Sequence, residues 1–274
     1  MSSQTGPTSL TNPPRRHSAQ QSRQDRIAEL VIKEGTVRVE DLVDHFGVSA
    51  MTIHRDLSDL ERRGLLRKTR GQATALPSSL AEASVAYRIT RSRESKRALA
   101  AAALDYIEPG KAIVLDDSTT LIPLIERLTE RTPLTVITPF LTAVNMLTDA
   151  PGISLISLGG QYYPWADAFL GGMTIELVSQ LRADICVMST SAVVDDVCYH
   201  QMHETVMVKK ALMRCAKQKI LLLDHTKFDQ RALHALAPLH AFDVVIVDAD
   251  TAPEHIDRLR TAGIHLEVAP RATD

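Results

Sequence analysis

Five consecutive residues, Asp116-Asp117-Ser118-Thr119-Thr120, place two carboxylates and three hydroxyls directly after an apolar run at 112–115 and before a helical pattern at 120–129. Hydroxyls beside unpaired backbone N–H groups at a helix start form a phosphate cradle, since the positive end of the helix dipole points at the anion. Simple N-capping by Ser118 or Thr119 explains the same residues. The aspartates would repel a phosphate but can accept hydrogen bonds from sugar hydroxyls. Other apolar runs end in comparable groups: Thr138-Pro139, Gly159-Gly160-Gln161 and Asp224-His225-Thr226-Lys227-Phe228. A glycine pair lets backbone approach a ligand closely, although a turn needs it too. Lys227, with Asp224 as its partner, suits a phosphate or sugar oxygen, or forms a surface ion pair. Cys198, His200 and His203, near Asp195 and Asp196, match no zinc spacing and read as a polar loop over the pocket. No metal and no cofactor are expected.

A second chemistry lies near the amino end. Val39, Leu42, Val43 and Phe46 repeat at i, i+3, i+4 and i+7, Gly47 breaks the pattern, and Ser49 can cap a further helix whose Ile53, Leu57 and Leu60 face inward. The opposite side carries Thr52, His54, Arg55 and Ser58, short polar and basic groups suited to base edges in a major groove. An earlier helix at 22–33, with Ile27, Leu30 and Val31 on one side, would close a three-helix core. Residues 64–71 read as a basic β-ribbon, or wing. The candidate DNA contacts are Arg38, Ser49, Met51, Thr52, His54, Arg55, Ser58, Lys68 and Arg70, with Arg62, Arg63 and Arg67 adding to a phosphate footprint. A helical hairpin with no nucleic-acid role remains the alternative.

The elements that must position the first set follow from the pattern after residue 112. Apolar runs at 112–115, 134–138, 153–158, 184–189, 219–223, 244–247 and 264–268 alternate with helical patterns at 120–129, 141–148, 173–181, 204–216 and 253–261. Buried runs separated by crossover helices predict an α/β fold, with a mainly parallel sheet covered on both faces. Ligands in such sheets bind beyond the carboxyl ends of the strands. A helix over 87–106 would precede the sheet, its Leu99, Ala102, Ala103 and Tyr106 side apolar and Arg93, Glu94, Lys96 and Arg97 decorating its start.

The expected division is a disordered tail at 1–21, where Arg15 and Arg16 can touch phosphates, a winged helix-turn-helix domain at 22–76, a linker at 77–92 and an α/β sensor domain at 93–270. Residues 1–76 hold 12 Lys and Arg against 9 Asp and Glu, a balance of +3, so the basic surplus of a chain with net charge −2 lies in its amino-terminal part, tail and helix-turn-helix module together. No apolar run is long enough to span a membrane or serve as a signal-peptide core, so a cytoplasmic protein without membrane partners is expected. Three widely spaced cysteines argue against a disulfide framework.

The segment from Ser22 to Ala75, containing VSAMTIHRDLSDLERRGLLRKTRG, closely resembles the DNA-binding domain of the DeoR family of bacterial transcriptional regulators. That family has two arginines before the Asp-Leu pair and a His-Gly-Gly end to the wing, where this chain has His54-Arg55 and Arg70-Gly71-Gln72. A neutral His54 cannot make the bidentate guanine contact of an arginine. From about Ser95 to Val268, IEPGKAIVLDDSTT, LTVIT, LGGQ, ETVMVKKALM and LLLDHTKF resemble the family's sensor domain, whose fold is like that of ribose-5-phosphate isomerase and the CoA transferases.

The resemblance implies Ser118, Thr119, Thr120, Gly160, Lys209, Asp224 and Lys227 as pocket residues, to which their strand ends add Asp116, Asp117, Thr138 and Gln161. Departures stand at Asp117-Ser118 (usually Ser-Gly), Pro139 (usually Asn), and Ser189 and Ala192 (usually glycines). Pro139 offers neither an amide side chain nor an N–H, so a ligand must be held differently there. The implied function is repression of a carbohydrate-utilisation operon through double-stranded operator DNA, relieved by a phosphorylated sugar or polyol, in a homo-oligomer, dimer or tetramer. The alternatives are an activator with the same domains, or a sugar-phosphate isomerase using Asp116, Asp117 or Glu204 as base and Lys209 or Lys227 as electrophile.

Overall fold

The computed structural model describes residues 19–34, 36–62, 65–75 and 85–271. The amino-terminal module runs α1 (Ala19–Glu34), β1 (Thr36–Arg38), α2 (Val39–Phe46), α3 (Ala50–Arg62), β2 (Leu66–Thr69) and β3 (Gln72–Ala75). Its core is the three predicted apolar stripes meeting, with Ile27, Leu42, Ile53, Leu57, Leu60 and Leu66 fully or almost fully buried. Gly47 ends α2 in the left-handed region at φ 64, where a side chain would be strained, and its N–H closes onto the Val43 carbonyl at 2.9 Å. Thr69 pairs with Gln72 across the two-residue Arg70-Gly71 turn, so the wing is a tight hairpin. β1 adds a third strand beside β3, which sequence reasoning did not foresee.

A buried acid locks two of the helices. Asp56 of α3, 1% exposed, accepts from Arg23 Nε at 2.6 Å and from Gln24 Nε2 at 3.0 Å, both on α1.

The second unit begins with α4 (Val85–Thr90) and α5 (Arg93–Leu104) and continues through β4 (Ala112–Leu115), α6 (Ile122–Ile125), β5 (Leu134–Thr138), α7 (Leu141–Leu147), β6 (Ile153–Ser157), β7 (Gln161–Tyr163) and β8 (Ala168–Leu170). There follow α8 (Gly172–Ser179), β9 (Ala183–Met188), β10 (Ala192–Val194), β11 (Val197–His200), α9 (His203–Cys215), β12 (Ala216–Leu223), β13 (His234–Pro238), β14 (Val244–Asp248), α10 (Pro253–Thr261) and β15 (Leu266–Ala269). Seven strands form one parallel sheet in the order β15-β14-β12-β9-β4-β5-β6. Alternate residues serve opposite faces: Val114, Cys186, Met188, Leu221 and Val245 pack in one core, and Ile113, Leu115, Ile185, Val187, Ile220 and Ile246 in the other. The central runs are almost wholly apolar because both faces are covered, whereas the edge strand β6 carries exposed Ser154 and Ser157.

Several details depart from the expectations. The helix expected over 87–106 is two, separated at Arg91-Ser92, where Ser92 takes φ 50, and α4 lies inside the stretch expected to be linker. Helix α1 takes in residues 19–21 of the expected tail, whereas residues 1–18, Arg63, Gly64 and 76–84 lie outside the described residues. The pattern at 120–129 is a 3-10 turn at Thr119–Leu121, the short α6 and a second 3-10 turn at Leu128–Arg131. Pro123 causes the interruption, since it has no N–H to return to the Thr119 carbonyl. Missed entirely were the β7–β8 hairpin and a three-stranded antiparallel sheet, β10-β11-β13. In the latter, Asp195 and Asp196 form a two-residue turn at φ 48 and 60, the geometry tight hairpins prefer.

Removing one partner of a buried pair leaves the other polar groups without compensation. Asp56→Ala should therefore cost the amino-terminal module about 3 kcal/mol, read as a lower urea midpoint for its unfolding, and an unchanged midpoint would deny that the lock holds α1 to α3.

Candidate functional site

In sequence order the sheet starts at β4, moves outward through β5 and β6, then returns to the other side of β4 with β9 and continues through β12, β14 and β15. Connections therefore leave in opposite directions from β4 and β9, and a crevice opens beyond the carboxyl ends of these two strands. Asp116 and Ser189 are the first residues past them. The Ser189 N–H donates to Asp116 Oδ2 at 3.1 Å across the switch point.

Asp116 is fully buried and takes four donors. Its Oδ1 accepts from the Ser118 N–H at 2.9 Å, and its Oδ2 from the Ser118 hydroxyl at 2.9 Å, from Ser189 and from the ammonium of Lys209. Lys209, on α9 and 2% exposed, also donates to Ser118 Oγ at 3.1 Å and the Ser189 carbonyl at 3.2 Å, and lies 3.3 Å from Asp117 Oδ1. Burial pushes the Asp116 carboxyl upward, against the pull of the Lys209 charge and with Asp117 adding to the rise. Four predicted site residues, Asp116, Asp117, Ser118 and Lys209, thus meet, but as an internal scaffold. Lys209 is tied to two carboxylates, and the Asp116 oxygens already hold four donors. Ser189 Oγ, 1% exposed, has no hydrogen-bond partner among the described residues. A buried hydroxyl in that state can still donate or accept one hydrogen bond.

Beside the scaffold stands a second cationic group. Lys227 is 3.8 Å from Asp224 Oδ2, and Asp224 caps a 3-10 turn by accepting from the Thr226 N–H at 3.1 Å and from the Thr226 hydroxyl. Burial alone would raise the Asp224 carboxyl, but Lys227, the Thr226 bonds and Lys96 outweigh it and hold it below its ordinary value.

Lys96 is the residue sequence reasoning misplaced. Expected on the decorated start of its helix, it is 5% exposed, and its Nζ donates to Thr119 Oγ1 at 3.1 Å and to the Arg88 carbonyl. Burial first, then the nearby Lys227 charge, lowers its ammonium from 10.5 to about 7. The missed signal was spacing: Lys96, Leu99, Ala100 and Ala103 fall at i, i+3, i+4 and i+7, a lone cation on an apolar stripe.

Other candidates are turned elsewhere. The Thr138 hydroxyl accepts from the Phe140 N–H at 3.1 Å inside a turn that the β7–β8 hairpin covers, with Phe169 N–H bonded to the Pro139 carbonyl at 2.9 Å. Gly160, at φ 149, makes room for Thr174, whose Oγ1 would lie 2.1 Å from an added Cβ, so the glycine serves a helix contact. Gln161 is exposed on β7. Thr120 is buried in a three-residue 3-10 turn, too short to supply a helix dipole, so the cradle depends on lysines and hydroxyls. The stretch expected as a polar loop is strand β11, with Cys198 in the core and His200 Nδ1 accepting from the Met202 N–H at 3.1 Å. His225, Asp248 and Asp250 lie close enough to share a cation, yet Asp248 already accepts from His225 and Thr251, and Asp250 pairs with Arg271. A hollow of about 490 Å³ lined by Gly110, Pro133, Leu134, Gly152 and Ile153 opens at the amino ends of β4 to β6, away from these charges.

On the DNA module, Ser49 caps α3 by accepting from the Thr52 N–H at 3.2 Å. Met51, 74% exposed, and Arg55 stand one turn apart on its outer face, and Arg38 and Arg70 are exposed on the neighbouring ribbon. Thr52 and His54 are half-buried, His54 Nδ1 without a partner among the described residues. Two expected contacts are engaged within the module. Ser58 donates to the His54 carbonyl at 2.8 Å, and Lys68 reaches from the wing to Ser58 Oγ at 3.2 Å and to the same carbonyl at 3.4 Å. Arg62 pairs with Asp59.

This arrangement coincides with two family models. Residues 23–79 match the DeoR-like helix-turn-helix domain, and residues 91–249 match the DeoR C terminal sensor domain. The chain belongs to the DeoR family. Among DeoR-type relatives, the lactose phosphotransferase system repressor of Staphylococcus epidermidis is 33% identical over 82% of this chain and 91% of its own length. The glycerol-3-phosphate regulon repressor of Escherichia coli is 30% identical over 91% of this chain and 99% of its own. A D-ribose-5-phosphate isomerase in complex with phospho-erythronic acid shares 19% identity at a TM-score of 0.38, covering 50% of this chain and 54% of that one. That likeness is too slight to bear on function.

Two measurements test the DeoR site. Lys209→Met leaves Asp116 buried without its counter-charge and should cost the sensor domain about 3 to 5 kcal/mol in denaturant unfolding; a cost below 1 kcal/mol would contradict the scaffold role. For Lys96 the folded chain gives up a proton near pH 7 that the unfolded chain keeps to about 10. Stability from this group therefore grows as pH rises between those values, and Lys96→Met should flatten that part of the stability curve relative to wild type.

Proposed function

We propose that this DeoR-family chain represses genes for the use of a carbohydrate or polyol, and that a phosphorylated form of that compound releases it from DNA. The observation that carries this reading is the outer face of α3. Ile53, Leu57 and Leu60 are fully buried, while Met51 and Arg55 stand exposed on the other side with Arg70 at the tip of the ribbon, a helix presented for a major groove and a wing for phosphates. The names of the relatives, repressors of a lactose phosphotransferase system and of a glycerol-3-phosphate regulon, support the sugar-phosphate class.

In this reading residues 22–76 form the DNA module and 93–270 the sensor, with the effector phosphate held by Lys227, Lys96 and the Ser118-Thr119-Thr120 turn, and its hydroxyls meeting Asp117 and Ser189. Two half-sites in the operator call for at least a dimer. Isomerisation is disfavoured because Asp116 is saturated by four donors and Lys209 is tied to two carboxylates, which leaves that pair neither base nor electrophile.

Binding to DNA from the chain's own promoter region, measured at several salt concentrations, tests the reading: specific DNA should bind at least about a thousandfold more tightly than unrelated DNA. Arg55→Ala should weaken that binding by roughly 5- to 150-fold, and equal affinity for both DNAs would remove the repressor claim. Thermal-shift screening against sugar phosphates should raise the melting temperature of the sensor domain; a response to free sugars alone would refute the phosphate site.

A further inference from the structure

We propose that Lys96 is the positioning residue through which effector occupancy reaches the segment leading to the DNA module: its ammonium is shared between the Thr119 hydroxyl and the Arg88 carbonyl, and a bound phosphate draws it off the carbonyl. This rests on the effector reading above and adds the route by which occupancy is transmitted.

Arg88 belongs to α4, the first described element after β3, so the carbonyl Lys96 holds lies on the path the chain takes from one domain to the other. Among the described contacts, two hydrogen bonds fasten helix α4. The Val85 N–H donates to the Trp165 carbonyl at 2.9 Å, and the Arg88 carbonyl accepts from Lys96. It also packs against the Thr119–Leu121 turn, whose first hydroxyl is the other acceptor of the same ammonium, at 3.1 Å. A six-residue helix has little stability of its own, so contacts such as these hold it in place.

An ammonium has three donors, and Arg88 and Thr119 take two of them. An anionic phosphate oxygen is a stronger acceptor than a neutral carbonyl, so a phosphate at this turn takes the third donor and pulls the whole ammonium toward itself, lengthening the bond to the Arg88 carbonyl. The charged groups facing Lys96 are Lys227 and Asp224 beyond β12, Arg88 on α4 and Arg93 on α5. Three of the four are cations against the single Asp224 carboxylate, so the position carries a positive surplus that a phosphate would offset. Occupancy then converts a bond across α4 into a bond to ligand, and α4 loosens.

The test uses the full chain, with inorganic phosphate, glycerol 3-phosphate, ribose 5-phosphate and galactose 6-phosphate as probes. It reads ligand binding by calorimetry, hydrogen exchange of residues 85–92, and affinity for the promoter DNA. In wild type the binding probe should speed exchange at 85–92 and lower DNA affinity by roughly 5- to 150-fold. Lys96→Met should still bind the probe, within about tenfold because one charge-assisted contact is lost, while ligand changes neither exchange nor, beyond about twofold, DNA affinity. Full retention of the wild-type response in Lys96→Met would overturn the inference. Complete loss of probe binding would also overturn it, by making Lys96 a ligand-holding residue and nothing more. Wild-type chain that binds promoter DNA but none of the four probes would overturn the effector reading itself, and this inference with it. Should Lys96→Met fail to fold, Lys96→Gln, which keeps a donor but not the charge, is held to the same outcomes.

Discussion

A carboxylate and an ammonium can share a dry interior only if the protein solvates each of them, because the cost of removing two ions from water is returned only in part by their attraction. The Asp116–Lys209 pair meets that condition at the one place where the sheet needs a tie. The acid follows β4 and the base comes from α9, while Ser189, which follows β9, donates its N–H to the acid and accepts from the base through its carbonyl. Strands β4 and β9 are the pair from which the chain departs in opposite directions, so their carboxyl ends are where a crevice opens and where the backbone would otherwise be least constrained. The ion pair closes the base of that crevice. In the proposed reading a ligand meets Lys227, Lys96 and the hydroxyls of the Thr119 turn, above the buried Ser189 hydroxyl.

The same division between a scaffold and a free rim recurs on the DNA module. Asp56, Arg23 and Gln24 hold α1 to α3, and Lys68 with Ser58 holds the wing to α3, so polar groups that look available in sequence fix the angle at which the recognition helix is offered. Arg55, Met51, Arg38 and Arg70 stay exposed. Three of the chain's polar groups, Lys209, Lys68 and Asp56, therefore act through position. Reach belongs to their neighbours.

Periodicity and family wording made much of this legible. The alternation of apolar runs with helical patterns located all seven strands of the parallel sheet to within a few residues, because a strand covered on both faces is apolar at most of its positions. The helix-turn-helix followed from two stripes and Gly47. The β7–β8 hairpin and the β10-β11-β13 sheet were not legible, since their strands run three to five residues and mix exposed with buried positions. The 120–129 pattern kept its apolar spacing, but Pro123 broke it into turns.

By its order alone the sequence determined two domains, a winged recognition helix, a parallel sheet and the strand ends at which polar groups gather. Only the tertiary structure decided which of those groups are free. Thr138 and Gly160 stand in the predicted places and are turned to the Phe140 N–H and to Thr174, whereas Lys96, read as surface decoration, is buried between the linker helix and the Thr119 turn. The reason is that secondary structure depends on local spacing, while a hydrogen bond is settled by which partner happens to be within 3 Å. For Asp116 and Lys209 that partner is 93 residues away.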